Sequence, residues 1–259
     1  MDHLLKEERQ QLILEVLRDN NRVTVTELSK RFGASEVTIR RDLAELAATG
    51  KLIRAHRGAL RVIPAPPEPP VVHRIGLEHE LKQCIARAAL ELVHEGETIF
   101  IGSGSTMAVF ARQLVMKKRL TVFTNAINIA ADLAAGSEDI AVVVTGGVLR
   151  PSELSLLGHI AELTLPEVRV GKIFMGVQAL SVESGWTTDH LPEVSTTRRI
   201  LEMAPELIIL ADHTKLGRTA AAFIAPITRV RTLVTDEQAD RKILSQIESK
   251  GVQVILARN

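Results

Sequence analysis

"SEVTIRRDLAEL", residues 35–46, sets two adjacent arginines in the middle of an amphipathic stretch. At about 100° per residue, Ile39, Leu43, Leu46 and Ala47 fall on one side of a helix. Val37, Arg41 and Ala44 fall opposite, with Thr38 beside them and Arg40 on the flank. Such a helix buries an aliphatic stripe and turns a cation, a hydroxyl and small side chains outward. An isolated Arg-Arg is ordinarily a solvated face, paired here with Asp42 or Glu45. The neighbouring sequence argues for more.

Upstream, "RQQLILEVLRDN" places Leu12, Ile13, Val16 and Leu17 on one helical face. Thr24 and Glu27 have capping-box spacing and open a second helix through Phe32. Gly33 supplies a turn, and Ser35 is the expected N-cap of the third helix, with Glu36 in its first turn. Gly50 marks the end of that helix. Downstream, "KLIRAHRGALRV" alternates enough for a two-stranded hairpin, or wing. Residues 22–61 hold nine Lys/Arg against four Asp/Glu, a local +5 in a chain of net charge +1. A basic module on a mildly acidic remainder follows. Helix, turn and basic helix form a helix-turn-helix, whose last helix fits a DNA major groove. There Arg41 and Thr38 suit base edges and Arg40 a phosphate. Arg54, His56 and Arg57 of the wing suit phosphate or minor-groove contact.

The run from Arg9 to Leu60 resembles the N-terminal winged helix-turn-helix of the DeoR family of bacterial transcriptional regulators, the S-x-x-T-I-R-R-D-L stretch being its most specific signature. The resemblance maps DNA contact onto Ser35, Thr38, Arg40, Arg41, Arg54, His56 and Arg57.

"PAPPEPP", residues 64–70, holds five of the ten prolines. It favours extended geometry and reads as a semi-rigid linker. The expected organisation is a winged domain over 1–62, a Pro-rich linker over 63–70 and a larger domain over 71–259. In the latter, "ETIFI", "LTVFT", "IAVVVT", "KIFMGV", "ELIILA", "RTLVT" and "VQVILA" alternate with helical patterns. That alternation argues for an α/β domain with a mainly parallel sheet, which binds ligands at the carboxyl ends of its strands. At those ends stand Ser103, Gly104, Ser105 and Thr106 of "GSGST", Thr124 and Asn125 of "TNAIN", Gly146 and Gly147 of "TGG", and Asp212 and Lys215 of "ADHTKLG". Hydroxyls, helix amides and a lysine suit a phosphate. Asp and Asn suit sugar hydroxyls. A phosphorylated sugar is the expected effector.

Residues 75–257 are similar to the sensor domain of the same family, on "GSGST", "TNAINIA", "TGG", "LLG", "KIFMGV", "GWTT" and "ADHTKLG". The resemblance implies a fold like that of ribose-phosphate isomerases. It also implies a repressor of carbohydrate metabolism, homo-oligomeric as a dimer or tetramer, released from its DNA operator by a sugar phosphate. The chain departs from the family pattern at Gly102, where an Asp is frequent, and at Gln178-Ala179, where a glycine is common.

A single cysteine, Cys84, excludes a disulfide framework or a cysteine-based zinc site. His159, His190 and His213 are too scattered to form a metal centre. No catalytic residue, metal or cofactor is expected. No apolar run reaches the roughly 18–20 residues of a membrane span, and a cytoplasmic protein, nucleoid-associated when on DNA, is expected. Two rivals remain. One is a sugar-phosphate isomerase or deaminase with an appended basic domain, in which Asp212 and Lys215 work as acid and base, with Glu153, Glu183, Asp189 and Glu193 as further carboxylates. The other is a DNA-binding protein whose pocket is vestigial.

Overall fold

The computed structural model describes residues 4–20, 22–55, 57–63 and 65–258. The chain divides into two compact units, Met1–Pro64 and Ala65–Asn259. Among the described residues no helix is long and apolar enough to cross a membrane.

The first unit holds helices α1 (Lys6–Asn20), α2 (Val25–Phe32) and α3 (Glu36–Ala48). Its strands are β1 (Arg22–Thr24), β2 (Leu52–Ala55) and β3 (Gly58–Arg61). The capping box forms: the Thr24 hydroxyl accepts from the Glu27 amide while the Glu27 carboxylate accepts from the Thr24 amide. Gly33 ends α2 in the left-handed region at φ 61°, where a side chain is costly. Ile39, Leu43 and Leu46 pack on Ile13 and Leu17 of α1 and Leu28 of α2, as the helical spacing requires. The wing is a three-stranded antiparallel sheet in the order β1-β3-β2 rather than the two-stranded hairpin expected. The extra strand is three residues long and buries only Val23, too short to show alternation. Gly58 admits it, because a Cβ there would stand 1.9 Å from the Val23 carbonyl oxygen.

The second unit begins with α4 (Val71–Arg74), α5 (His79–Leu90), β4 (Thr98–Ile101), α6 (Ser105–Leu114), β5 (Leu120–Thr124), α7 (Ile127–Gly136) and β6 (Ile140–Val144). A hairpin, β7 (Val148–Arg150) and β8 (Ser155–Leu157), leads to α8 (His159–Thr164). Then come β9 (Lys172–Met175), β10 (Ala179–Ser181), β11 (Gly185–Thr188), α9 (Glu193–Leu201) and β12 (Glu206–Leu210). The chain closes with β13 (Ala222–Ala225), β14 (Thr232–Asp236), α10 (Arg241–Glu248) and β15 (Gln253–Ala257).

All seven apolar runs become strands of one sheet, ordered β15-β14-β12-β9-β4-β5-β6. Every pairing in it is parallel. Alternate side chains serve opposite faces: Ile99 and Ile101 join one core with Phe110 and Val122, Phe100 the other with Leu207 and Ile209. Because both faces are buried, the strands read as nearly unbroken apolar runs. The sequence does not announce a second, antiparallel sheet, β10-β11-β13.

The proline run is not a free spacer. Ala65 is buried and its amide donates to the Thr219 carbonyl at 2.9 Å, while the Val71 amide donates to Ser152 O at 2.7 Å. Residues 65–70 therefore belong to the second unit, against the expected linker over 63–70. Extended prolines lie readily along a surface, and Glu68 gives the run an electrostatic anchor.

Candidate functional site

The helix α3 presents the face that its periodicity requires. Val37, Arg40, Arg41 and Ala44 are exposed, and Thr38 is half-buried. Ser35 caps the helix, its oxygen accepting from the Thr38 amide at 3.2 Å and lying 2.9 Å from the Thr38 hydroxyl. Arg40 pairs with Glu36 at 3.1 Å and Arg41 with Glu45 at 3.5 Å, both in solvent. The Thr26 hydroxyl and then Arg40 hold the Glu36 carboxyl below its ordinary range. Asp42 does not pair with either neighbour. It is buried and takes the Arg9 guanidinium at both oxygens, so it pins α3 to α1. Arg54 of β2 donates to the Arg40 carbonyl at 3.0 Å, which brings the wing beside the helix. Arg57 is exposed, and His56 lies outside the described residues. Ser35 and Thr38 thus serve the helix start, while Arg40, Arg41, Arg54 and Arg57 form a basic surface.

In the second unit the chain runs from β4 to β5 and β6 on one side, then returns to place β9 and β12 on the other. A crevice opens at the carboxyl ends where the direction reverses, between β4 and β9. The pocket lies there. Ser103, Gly104, Ser105, Thr106, Asn125 and Lys215 line it, with Gly176 and Gln178 beyond β9. Gly104 adopts φ 124°, and no side chain caps α6, so the amides of its first turn open toward the pocket wall. Asn125 is 4% exposed, and its Oδ1 has no hydrogen-bond partner in the protein. A buried, unsatisfied acceptor on a pocket wall is an invitation to a ligand hydroxyl.

Four of the residues read from sequence do not line this pocket. The Thr124 hydroxyl is fully buried and accepts from the Ala126 amide. Asp212 turns back to cap its own turn, accepting from the Thr214 amide at 3.0 Å. Gly146 carries φ 74° as a turn residue. Gly147 lets β8 approach, since a Cβ would meet the Leu157 carbonyl at 2.7 Å. Strand ends point to the rim, but a short polar side chain there bonds its own backbone just as readily.

Of the charged wall, sequence reasoning named Lys215, and Glu153 and Glu193 within the enzyme rival, but missed Glu68, Arg74, Arg150 and the pairing of all six. Arg74 sits between Glu68, at 2.9 Å, and Glu153. Lys215 pairs with the other oxygen of Glu68, and Arg150 with Glu193. Glu193 also accepts from the Thr188 hydroxyl at 2.6 Å. Burial pushes the Glu153 carboxyl up from its ordinary range, against the pull of Arg74. Lys82 fixes the end of α4 by donating to the Arg74 and Leu77 carbonyls, and burial lowers its pKa. With these side chains in place, the cavity measures about 80 Å³. The glutamates and arginines come from three separate segments, around residues 68–74, 150–153 and 193, so no local motif marks them.

At Gly102 a Cβ would stand 2.3 Å from the Met175 sulfur, so Met175 fills the space a larger residue would need. Gln178 accepts from the Asp189 amide at 2.8 Å and donates to its carboxylate at 2.7 Å, while Ala179 is fully buried in β10. Among the described residues no group of His, Cys, Asp and Glu is arranged to hold a metal.

The DeoR C terminal sensor domain family matches residues 77–237, and the DeoR-like helix-turn-helix domain family matches residues 9–63. The chain is 34% identical over 251 residues to the putative aga operon transcriptional repressor of Escherichia coli O157:H7, covering 96% of this chain and 93% of that protein. It is 33% identical to the HTH-type transcriptional regulator GlpR of Haloferax volcanii, covering 97% and 98%. It is 29% identical to the glycerol-3-phosphate regulon repressor of Escherichia coli K12, covering 94% and 96%. A solved ribose 5-phosphate isomerase A from Neisseria gonorrhoeae aligns over 54% of each chain at 22% identity, with a TM-score of 0.41.

Proposed function

Since the chain belongs to the DeoR family of DNA-binding transcriptional regulators, we propose that it represses a carbohydrate-utilisation operon and leaves its operator when a phosphorylated sugar enters the pocket at the β4–β9 reversal. The observation that carries this reading is the pairing, on one wall, of the uncapped α6 N-terminus with the unsatisfied Asn125 oxygen. The first suits a phosphate and the second a sugar hydroxyl. Lys215 adds a cation to the same wall. In the first unit, Arg41 reads bases while Arg40, Arg54 and Arg57 hold phosphates. A homo-oligomer would set two such helices on repeated half-sites. That one relative is named a glycerol-3-phosphate regulon repressor agrees with control by a phosphorylated metabolite.

The test is binding of the full chain to its own promoter DNA, titrated with sugar phosphates at fixed salt. Release by one phosphorylated sugar and not by its unphosphorylated form is the expected outcome. Specific binding that no sugar phosphate disturbs would leave the helix reading standing and retire the pocket. The enzyme reading draws on Asp212, which caps its own turn outside the pocket, and on Lys215, which pairs with Glu68; Glu153 and Glu193 do line the pocket, but each is tied to an arginine rather than aimed at open space. Turnover of any of the same sugar phosphates would revive it.

A further inference from the structure

Each cation lining the pocket, among the described residues, already faces a carboxylate: Arg74 meets Glu68 and Glu153, Arg150 meets Glu193, and Lys215 meets Glu68. A phosphate monoester brings a charge of about −1.5 to −2 at neutral pH. It gains a matched cation here only by displacing one of these carboxylates, since a buried cluster cannot hold surplus negative charge. The three candidates are not equivalent. Glu193 is in the first turn of α9 and also takes the Thr188 hydroxyl. Glu153 is in the tight turn between β7 and β8 and is itself buried. Glu68 alone stands on a stretch without regular structure, among prolines that carry no amide hydrogen to anchor it. That stretch is held by the Ala65–Thr219 and Val71–Ser152 hydrogen bonds, by Arg74 Nε on the Pro69 carbonyl, and by the two ion pairs of Glu68.

From this arrangement we infer that Glu68 is an internal competitor for the effector's phosphate: its carboxylate occupies the seat between Lys215 and Arg74, and an incoming phosphate takes that seat and expels it. β3, the last strand of the first unit, ends at Arg61, and the chain then runs on into residues 65–70. Expelling Glu68 frees the start of the second unit, where the chain enters it from the first. The seat exists in two states, and phosphate has affinity for only one of them, which is what a ligand needs in order to shift an equilibrium. The small cavity fits the same picture. About 80 Å³ is well under the roughly 300–1,000 Å³ of ordinary ligand pockets, and moving Glu68 enlarges it. This inference rests on the phosphate reading of the pocket.

The experiment uses the full chain and inorganic phosphate as probe, with chloride at matched ionic strength as control. Trp186, the chain's single tryptophan, lines the pocket and reports binding by its emission. Hydrogen exchange at the Ala65 amide reports whether the segment has left. Glu68→Gln should bind phosphate on the order of tenfold more tightly than wild type, the factor expected where the seat is vacant about one time in ten. In wild type, phosphate should speed exchange at Ala65. If Glu68→Gln does not fold, Glu68→Asp carries the same test, because a shorter arm holds the seat less well and should also tighten phosphate binding. Phosphate binding that Lys215→Ala abolishes but that neither Glu68 variant tightens would overturn the competitor while leaving the pocket as a phosphate site. Binding with no change at Ala65 would do the same. No phosphate binding to any variant would overturn the pocket reading and the competitor with it.

Discussion

Arg41 and Arg74 carry the same guanidinium into opposite surroundings. The Arg41 side chain is 80% exposed and faces Glu45 across 3.5 Å of solvated surface. The Arg74 side chain is 10% exposed and is held between two carboxylates. An exposed pair of the first kind is worth about 0–1 kcal/mol, so a DNA phosphate or base can take Arg41 at almost no cost. A buried pair of the second kind opens only if another anion replaces the one lost. On the proposed function, the α3 face would be ready whenever DNA arrives. The pocket wall, by contrast, would be conditional on what enters it, the difference expected between a reader and a sensor.

The largest expected effect tests the contrast directly. Arg74→Ala strands Glu153 in a buried site and should cost the second unit about 3–5 kcal/mol. Urea unfolding followed by Trp186 emission measures that unit by itself, since the first unit has no tryptophan. Arg41→Ala, followed by far-UV circular dichroism, should change stability by no more than about 0.5 kcal/mol. If the two variants cost the same, the burial difference has no energetic content and the argument for a conditional pocket fails.

On DNA the ranking inverts. Arg41→Ala should weaken operator binding by about 1–3 kcal/mol and relax sequence preference, with a smaller loss on random DNA. Arg40→Ala should weaken both DNAs alike and reduce the salt slope by about one unit. Competition binding at several salt concentrations separates them. Equal losses for Arg41 on both DNAs would move it from base reading to phosphate contact.

The two regions also differ in how far the sequence reveals them. Most of the winged unit is written in local spacing: Thr24 with Glu27, Gly33, Ser35, and the stripe Ile39, Leu43, Leu46 are each set within one or two turns of helix. The seven strand cores were equally legible, because burial on both faces leaves continuous apolar runs. Asp42 was not. Its partner Arg9 is thirty-three residues away, so the sequence offered Asp42 only as a pair for the neighbouring arginines. The pocket wall was half legible. The α6 loop, Asn125 and Lys215 follow strand ends, whereas Glu68, Arg74, Arg150, Glu153 and Glu193 meet only through tertiary folding. Glu68 was hidden further by its setting, since a proline run reads as a spacer until something shows that its one charge has a partner.

Acidification should separate the regions by sign, with the smallest effect of all. In the first unit the Thr24 amide and then its hydroxyl hold the Glu27 carboxyl below its ordinary value of 4.5. Glu27 thus contributes fully above that value, and its contribution is lost as pH falls through the lowered folded value. Glu153 runs the other way. Burial raises its pKa, so the folded state holds that proton more tightly than the unfolded chain does, and its contribution improves as pH falls through the window above 4.5. As pH falls from 7, Glu153 should cushion the Trp186 transition of the second unit in the window above 4.5, and the far-UV transition of the first unit should move down only below 4.5. Glu27→Gln keeps an acceptor for the Thr24 amide but does not titrate, so it should flatten the acid side of the first transition and leave the second untouched. An acid side that Glu27→Gln does not change would pass the titration to Glu36 and Glu45, whose carboxyls are lowered by Thr26 and by Lys6 respectively. The sensitivity would then belong to the recognition helix itself, and acid would loosen the reader before it touched the sensor.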